Sequence, residues 1–293
     1  MNKGTQKTDF KGLNLISRGK VRDIYTVENY LLIVTTDRIS AFDVIMSNPI
    51  PGKGVILNQM SAFWFEKMKD IIENHMVSIH PAEYPEECSP HSKDLEGRSM
   101  LVKKATPLLV ECVVRGYLSG SAWKDYQNSK TVSGIKLPDG MNESSKLPEP
   151  IFTPSTKAPE GEHDAPINKR KMEDLIGQEL TDRIMKVSLA IYKKAADMAF
   201  KAGIIIADTK MEFGLLGEEL ILIDELLTPD SSRFWPAVDY REGRAQNSFD
   251  KQFLRDYLLS VHWNQKPPAP VLPPEIIENT RNKYEEAWKR LVE

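Results

Sequence analysis

The sequence predicts a protein of about two lobes that combines strands with helices. Its 293 residues, 41% of them hydrophobic, are enough to bury a sizeable core. Residues 18–36 alternate polar and apolar side chains in the manner of a β-hairpin, whereas residues 171–201 repeat apolar side chains at helical spacing. The fold should therefore contain both sheet and helix.

The first half of the chain has the pattern of a small, sheet-rich lobe. After the hairpin, residues 58–71 place large apolar side chains at helical spacing. A further pair of strands is expected near residues 100–104 and 108–114. The first lobe should therefore be mostly sheet.

The second half begins with a segment of different composition. Residues 126–167 are rich in Pro, Gly, Ser, Lys and Glu, which predicts a long loop with little regular structure. A single amphipathic helix is expected from about residue 171 to 201, with Gly203 as its C-terminal stop. A long loop in a compact domain is commonly functional, so this one is a candidate cover for an active site.

A hairpin and a final helix follow. The strand at residues 204–210 continues into two alternating runs, 210–216 and 219–225, which are typical of a hairpin. After a proline-rich linker, residues 277–291 repeat apolar side chains at near-helical spacing. We expect this last helix to pack back on the second lobe.

Composition narrows the classes of function. The formal charge is −3 and the 39 basic residues form no tract, so a nucleic-acid partner is not expected. No segment has the apolar length of a signal peptide or a bilayer span, so a membrane partner is not expected either. Cys88 and Cys112 offer neither a disulfide framework nor metal-ligand spacing. We expect a cytoplasmic monomer or small homo-oligomer that binds small molecules.

Glu212 and Asp224 are the most informative pair in the sequence. If the hairpin closes through a three-residue turn centred on Glu218, the two carboxylates lie directly opposite, with Cβ atoms about 4.5 to 5.5 Å apart. They would then repel, and Mg²⁺, which proteins hold with one or two carboxylates plus substrate phosphates, would remove the repulsion. Two alternatives remain: both side chains are solvated, or a two-residue turn shifts the register by one and points them to opposite faces.

A glycine and two cations open the first hairpin. Gly19 would let the backbone approach phosphate oxygens closely, and Lys20 and Arg22 would project from one face of a strand toward that charge. The segment lacks the glycines of a P-loop, a Rossmann loop or a kinase loop. An ordinary charged hairpin remains the alternative.

A second anion site is predicted after a buried strand. Arg115 ends that strand, and a helix beginning near Ser119-Gly120-Ser121 would aim backbone N–H groups and a hydroxyl at an anion such as a substrate phosphate. The alternative is a plain N-cap with Arg115 paired to a surface carboxylate. The polar turns at residues 37–43 and 230–235 could line a pocket or simply form capped turns.

The segments that carry these residues occur in order along nearly the whole chain. They are RGKVRDIY, TTDRISAFDV, PGKGVILNQMS, ECVVRGYLSGSAWKDY, FTPSTKAPEGEHD, ADTKMEFG, LIDELLTPDSSRFW and SFDKQFLRDYL. In these segments the chain resembles the SAICAR synthetase family, the phosphoribosylaminoimidazole-succinocarboxamide synthases. A set of ordered matches is far more specific than any one of them.

The resemblance implies a two-lobed α+β fold, distantly like protein kinases and ATP-grasp enzymes. ATP would lie in the cleft between a smaller N-terminal sheet lobe, residues 1–105, and a larger C-terminal lobe, residues 106–293, which carries the magnesium and ribotide sites. The implied activity joins the carboxylate of carboxyaminoimidazole ribotide (CAIR) to the amine of L-aspartate through an acyl phosphate, in purine biosynthesis. ATP is then a co-substrate and Mg²⁺ the cofactor.

The resemblance also implies roles for individual residues. The residues expected near ATP are Gly19, Lys20, Val21, Arg22, Val102 and Lys103. Glu212 and Asp224 would hold Mg²⁺ and, with Lys20 and Lys210, form the catalytic set. The residues expected around the other substrates are Asp37, Arg38, Ser40, Arg115, Ser121, His163, Asp164, Lys210 and Arg233. Within that set, the two arginines Arg115 and Arg233 and the hydroxyl of Ser121 would bind the 5′-phosphate of the ribotide.

Two rival functions share the nucleotide residues. A small-molecule kinase would keep the ATP and Mg²⁺ residues but place a base beside an alcohol acceptor. A non-catalytic nucleotide-binding regulator would bind ATP without turnover. Phosphoryl transfer depends on positioning and charge neutralisation more than on a protein nucleophile, which suits a chain without a convincing Ser/His/Asp or Cys/His arrangement.

Overall fold

A computed structural model describes residues 4–157 and 164–293 of the chain. In these ranges the strands are β1 (Asn14–Arg18), β2 (Arg22–Val27), β3 (Tyr30–Thr35), β4 (Ser40–Ala41), β5 (Val44–Ile45), β6 (Met76–Ser78), β7 (Ser99–Lys103), β8 (Thr106–Pro107), β9 (Val110–Tyr117), β10 (Thr131–Val132), β11 (Ile135–Lys136), β12 (Lys146–Thr156), β13 (Ile204–Leu216), β14 (Glu219–Ile223) and β15 (Ser232–Pro236).

Helices alternate with these strands along the chain. The α-helices are α1 (Lys53–Met68), α2 (Ser92–Leu95), α3 (Ser121–Ser129), α4 (Lys169–Ile176), α5 (Gln178–Lys201), α6 (Gln252–Ser260) and α7 (Pro274–Val292). Short 3-10 helices occupy Pro81–Glu83, Glu86–His91 and Ala237–Asp239. No helix in the described part of the chain is both long and apolar enough to cross a membrane.

Two large sheets organise these elements. The first has five antiparallel strands in the order β1-β2-β3-β7-β6. The second follows the path β12-β9-β13-β14, and β15 and β8 also pair with β13, all of them antiparallel. Antiparallel sheets with helices packed on them make this an α+β fold, as predicted.

The first hairpin is confirmed, but the strand pair predicted after it is wrong. β2 and β3 pair with Val27 opposite Tyr30. β7 is a strand, yet it pairs with β3 and β6, while β9 lies in the second sheet between β12 and β13. The two runs are separated because β8, between them, pairs with Gly214 and Leu215 of β13 and draws the chain onto the second sheet.

The long loop predicted for residues 126–167 is wrong in several stretches, where the chain forms helix or strand. α3 continues to Ser129, β10 and β11 form a small hairpin, and β12 is an eleven-residue strand. Among the strands of the described residues, β12 pairs with β9 alone, and a single bridge joins its Ser155 to Pro166. It is therefore an edge strand, which tolerates prolines because part of its N–H groups needs no strand partner. Pro148 and Pro150 fall where the register is irregular, between Lys146 and Ile151.

The single helix predicted over residues 171–201 is divided in two. Gly177, with φ 87° and ψ 155°, ends α4 and begins α5. A side chain disfavours that backbone conformation, so glycine here allows a sharp change of direction between the helices. The apolar stripe of α5 packs on β13, β9 and β12.

The last helix is confirmed, and its packing agrees with the prediction in part, since it contacts residues of both lobes. α7 packs chiefly against α1 and α6. Its Ile276 and Tyr284 join a buried cluster with Ile39, Ile50 and Leu57 from the first half of the chain. The helix therefore contributes to the core beside the first sheet, because its apolar face meets α1 there.

Candidate active site

The hairpin of β13 and β14 closes with a two-residue turn. Glu212 pairs with Ile223, and Leu216 pairs with Glu219. Gly217 has φ 64°, which suits the first position of a type II′ turn. The predicted pairing of Glu212 with Asp224, which assumed a three-residue turn, is therefore wrong by one residue.

The two carboxylates are nevertheless brought within electrostatic reach. Asp224 follows the last residue of β14 and has a left-handed φ of 66°, so the alternation of faces along the strand stops at this residue. Burial raises the pKa of Asp224; Arg22 opposes that rise, while the negative charge of Glu212 adds to it. The left-handed backbone of Asp224, rather than the strand register, therefore brings the two carboxylates near each other.

Cations of the chain surround these carboxylates. Arg22, from β2, donates to Asp224 at 2.5 Å and pairs with Glu225 at 2.8 Å. Lys210 lies 2.7 Å from Glu111 and 2.6 Å from Glu212. Lys157 pairs with the second oxygen of Glu212. We call these residues the acidic cluster: Arg22, Glu111, Lys157, Lys210, Glu212, Asp224 and Glu225.

The ion pairs shift the pKa values in the acidic cluster. Burial lowers the pKa of Arg22 and of Lys210, but the neighbouring carboxylates outweigh it and raise both above their ordinary values. Burial raises the pKa of Glu212, but Lys210 and Lys157 outweigh it and hold the pKa well below its ordinary value. Arg22, Lys210 and Glu212 therefore stay charged at neutral pH.

A second charged group lies farther along β13. Asp208 stands opposite Arg115 of β9 and opposite Arg233 of β15. Arg115 donates to its carboxylate at 2.8 Å, and Arg233 contacts the same oxygen. We call Arg115 and Arg233, together with the Asp208 carboxylate that they share, the arginine pair. Two guanidinium groups that share one carboxylate leave positive charge for an anion.

The first turn of α3 meets the arginine pair. Arg115 donates to the Ser121 hydroxyl at 3.3 Å. Gly120 has φ 59°, and a Cβ there would lie 2.3 Å from the guanidinium of Arg233, so only glycine allows this approach. The helix begins at Ser121, so its free backbone N–H groups lie beside the two arginines. The structure thus brings Arg115, Ser121 and Arg233 together, and their binding of an anion stays a prediction.

β13 carries both groups on one face. Asp208, Lys210 and Glu212 alternate along the strand with residues that point to the other side, and of these Met211 and Phe213 belong to the main apolar core. Four residues of an extended strand span about 13 Å. The acidic cluster and the arginine pair therefore occupy one continuous polar surface.

The loop predicted to approach ATP phosphates is held from behind by Arg38. The Gly19 N–H donates to the Arg22 carbonyl at 2.8 Å, which closes the turn. Arg38 donates to the carbonyls of Gly19 and Lys20 and to the Asp23 carboxylate. The side chain of Lys20 is half-exposed and pairs with Asp43. Arg38 therefore shapes this loop, and its predicted contact with substrate stays a prediction.

Several other predicted residues lie in the first sheet or beside it. Asp37 is buried and accepts hydrogen bonds from the Thr5 and Gly54 N–H groups and from Arg98. Ser40 is buried in β4. Val21 follows the loop, and Val102 and Lys103 end β7, where the Lys103 N–H donates to the His75 carbonyl. Their contacts with ligands stay predictions.

Two predicted residues come from the segment after β12. His163 lies outside the described residues. Asp164 is exposed, one residue before Ala165, whose N–H donates to the Thr156 hydroxyl. Lys157 ends the preceding part of the segment with its side chain on Glu212.

Sequence reasoning missed Glu111 and Glu225 as members of the acidic cluster. Glu111 has a signal in the alternation of residues 111, 113 and 115 along β9, which puts it on the same face as Arg115. Glu225 adjoins Asp224 and had no signal beyond that position.

The larger of two cavities lies away from this surface, and the smaller one borders the acidic cluster. A groove of about 620 Å³ lies elsewhere, lined by residues of α5 and of the irregular part of β12, including Tyr192, Phe200 and Pro148. Between Arg22, Asp224 and α1 there is a cavity of about 10 Å³, room for a single water molecule. The site is recognised by its charges rather than by its volume.

The comparisons with known proteins agree on one family. A family model described as SAICAR synthetase matches residues 15–270. The phosphoribosylaminoimidazole-succinocarboxamide synthase of Desulfosudis oleivorans is 60% identical over 292 residues, which is 100% of both chains. The enzyme of the same name from Geobacter sulfurreducens is 60% identical over 285 residues, 97% of this chain and 96% of the relative.

Solved structures are similar over nearly the whole length. The SAICAR synthase of Saccharomyces cerevisiae, solved in complex with SAICAR, has a TM-score of 0.89 and 46% identity, covering 98% of this chain and 97% of that one. The SAICAR synthetase of Pyrococcus horikoshii has a TM-score of 0.67 and 24% identity over 92% of this chain and 96% of its own, which shows the fold alone.

Proposed function

The chain belongs to the SAICAR synthetase family, and from that membership we propose that it joins CAIR to L-aspartate with ATP, giving SAICAR, ADP and phosphate. The observation that carries the proposal is the polar face of β13, where carboxylates and arginines lie on one surface. A ligase that activates an acid with a nucleotide needs both kinds of group.

The chemistry explains why ATP is needed. A carboxylate is a poor acyl donor because its leaving group would be oxide. A carboxylate oxygen of CAIR attacks the γ-phosphorus of ATP, and the bond to ADP breaks. The aspartate amine then attacks the acyl carbon; the new C–N bond replaces the C–O bond to phosphate, and the amine gives up a proton. No protein nucleophile is required.

Glu212 and Asp224 fit a magnesium ion. Both are oxygen donors, and each feels the charge of the other, which a divalent cation would relieve. Among the described residues no cluster of three or more Asp, Glu, His or Cys side chains could hold a metal unaided, so these two would share the ion with phosphates and water. When bound, Mg²⁺ would neutralise charge on the phosphates of ATP.

Lys20 and Arg22 are proposed to bind the phosphates of ATP, with Gly19 and Val21 giving the backbone close approach. Val102 and Lys103, at the end of β7, would meet the adenine. The cavity beside Arg22 and Asp224 is small, so Arg22 would exchange its carboxylates for phosphate oxygens when ATP enters. An arginine can do so because both partners are anionic oxygens.

Arg115, Ser121 and Arg233 are proposed to bind the 5′-phosphate of CAIR. Their support is the surplus of guanidinium groups over carboxylates and the free N–H groups of α3. Lys210, between the arginine pair and Glu212, lies where it would orient the reacting carboxylate of CAIR. Asp37, Arg38, Ser40, His163 and Asp164 complete the proposed substrate region.

The division into an ATP-binding lobe, residues 1–105, and a ribotide-binding lobe, residues 106–293, is likewise a proposal. It is supported by the extent of the first sheet, whose strands lie between residues 14 and 103, and of the second, whose strands lie between residues 106 and 236. The cytoplasmic location and the monomer or small homo-oligomer remain predictions.

An omission assay tests the proposed function. ADP release is measured with ATP, Mg²⁺, CAIR and L-aspartate, and again with each one left out. Sustained release should require all of them, and the product should be SAICAR by mass. Release that continues at full rate without aspartate would indicate a kinase, and no release in the complete mixture would contradict an enzyme.

A further inference from the structure

Asp230 is the centre of a buried charge network that adjoins the acidic cluster, and its charge contributes to the raised pKa of Arg22. One of its oxygens accepts hydrogen bonds from Lys53 at 2.8 Å and lies 3.1 Å from Lys251, and the other accepts from the Tyr284 hydroxyl at 2.6 Å. Lys53 is fully buried and the Asp230 side chain is 3% exposed. The partners come from the start of α1, the N-cap of α6 and the middle of α7.

The position of Asp230 in the chain makes this charge network important for Arg233 and Lys210. It lies in the turn between β14 and β15, three residues before Arg233. The Ser231 carbonyl in that turn accepts from the Lys210 N–H at 2.8 Å, and the Ser232 hydroxyl donates to Thr209 at 2.8 Å. A displacement of the turn would therefore move both Arg233 and the backbone of Lys210.

α7 is also linked to β15 through Phe249 and Asp250. Phe249 donates its N–H to the Phe234 carbonyl at 2.8 Å, and Asp250 accepts from the Phe234 N–H at 3.2 Å. Over the ring of Phe249 lie Arg290, at 5.1 Å, and Lys283, at 5.9 Å, both from α7. α7 is thus connected to the strand that carries Arg233 in two places, through Asp230 before the strand and through Phe249 beside it.

The Tyr284 hydroxyl has a distinct part in this arrangement. Both lysines bind one oxygen of Asp230, so the hydroxyl is the donor that occupies the other. Without it, a buried carboxylate oxygen would lose its partner, and the carboxylate would rotate or draw the turn toward another donor. The ring packs in the apolar cluster around α1, and its centroid lies 5.7 Å from Lys53 Nζ. The hydroxyl and the ring therefore make separate contacts.

We propose that Tyr284 is a positioning residue for ribotide binding: through Asp230 it holds the turn at residues 228–232 so that Arg233 and Lys210 face the substrate. α7 lies beyond residue 270, where the match to the family model ends. The proposal rests on the proposed function, because it takes Arg233 as a ligand of the CAIR phosphate.

The Tyr284→Phe variant tests the proposal, since it removes the hydroxyl and leaves the ring. The KM for CAIR should rise about tenfold, as expected for a lost hydrogen bond to a buried charge, with the KM for ATP unchanged. The matched control is Tyr257→Phe, which removes a hydroxyl from α6 beside the same apolar cluster and does not touch Asp230. Its two KM values should stay at those of the unchanged chain.

Amide hydrogen exchange supplies a readout that does not depend on turnover. In Tyr284→Phe the amides of Ser231 and Ser232 should exchange faster than in the unchanged chain, and in Tyr257→Phe they should not. Asp230→Asn, which keeps the shape of the side chain but removes the charge that Lys53 and Lys251 share, should show faster exchange at the same amides and at least as large a rise in the KM for CAIR. This second variant covers the case in which Tyr284→Phe does not fold.

Three results would overturn the proposal. They are an unchanged KM for CAIR, an equal rise in both KM values, and unchanged exchange in the turn. The second would indicate a purely structural role. Failure of the proposed function is distinguishable, because it would appear in the unchanged chain as an absence of CAIR-dependent ADP release.

Discussion

The two charged regions on β13 have opposite balances. In the acidic cluster four carboxylates contact three cations, whereas in the arginine pair two guanidinium groups contact one carboxylate. Surplus negative charge suits a divalent cation, and surplus positive charge suits a phosphate. One strand can therefore carry two regions of opposite net charge, each suited to a ligand of the other sign.

In each region, burial disfavours the charged form of one group. Burial raises the pKa of Asp224, which favours the neutral carboxylic acid. Burial lowers the pKa of Arg115, although Asp208 opposes that shift. A ligand of the right sign would relieve this cost in both places, so binding should be stronger than a count of new contacts suggests.

Removing one carboxylate from the acidic cluster should have the largest effect. Glu212→Gln leaves three carboxylates with three cations, so the surplus that suits Mg²⁺ disappears. We expect kcat at ordinary Mg²⁺ to fall about a thousandfold, the upper range for a lost electrostatic group, and thermal stability to fall as well, because Lys157 and Lys210 lose a buried partner. Steady-state kinetics with a thermal melt would measure both.

A matched control is available on the neighbouring strand. Glu219→Gln makes the same substitution at an exposed position of β14, and its kcat should equal that of the unchanged chain. A Glu212→Gln variant with near-normal kcat would show that the surplus charge has no role in turnover.

Balancing the arginine pair should have the next largest effect. Arg233→Gln leaves Arg115 and Asp208 as one cation and one anion. The KM for CAIR should rise about a hundredfold, or ~2.7 kcal/mol, while the KM for ATP stays the same. The exposed Arg241→Gln is the control with the same change of charge. An Arg233→Gln variant with a normal KM for CAIR would remove the residue from the phosphate site.

The smallest effect is a shift in pH dependence. A raised pKa means that the folded state binds the Asp224 proton more tightly than the unfolded state does. The free energy of unfolding therefore falls as the pH rises from the ordinary pKa of this group through the raised one. Mg²⁺ bound to Asp224 as proposed would compete with the proton for the same oxygens. Tenfold more free Mg²⁺ should therefore move the acid limb of kcat/KM for ATP toward lower pH, by up to about one pH unit.

pH–rate profiles at two Mg²⁺ concentrations, with ionic strength held constant, would measure this shift. An acid limb that stays in place would mean that the group which titrates is not a ligand of the metal. The same profile for CAIR should move less, because the arginine pair holds no metal ligand.

Local patterns predicted the elements whose signals lie within one stretch of sequence. The hairpin at residues 18–36, the helix around residues 58–71 and the β13–β14 hairpin are all present. Each is identified by an apolar period or a turn that involves only neighbouring residues. Their existence therefore follows from sequence, although their limits differ by several residues.

Properties that depend on distant partners could not be predicted in this way. The prolines of β12 argue against a strand, so the sequence predicts a loop there. A strand can contain them because β12 lies at the edge of its sheet. The partner of Lys210, Glu111, is 99 residues away in sequence. The order of strands brings such residues together, and no short pattern reveals that order.

The candidate site divides in the same manner. The convergence of Arg115, Ser121 and Arg233 follows the resemblance closely. Glu212 and Asp224 do approach each other, but the reason is the left-handed backbone of Asp224 rather than strand register. A single positive φ is not visible in sequence unless the residue is a glycine.

The extended shape of β13 has a consequence for inhibitor design. Along this extended strand, the backbone positions of Asp208, beside the two arginines, and of Glu212 are about 13 Å apart. A compound that joins a phosphate mimic to a metal chelator would need a rigid linker of comparable length to engage both. Shorter analogues would compete with one substrate only.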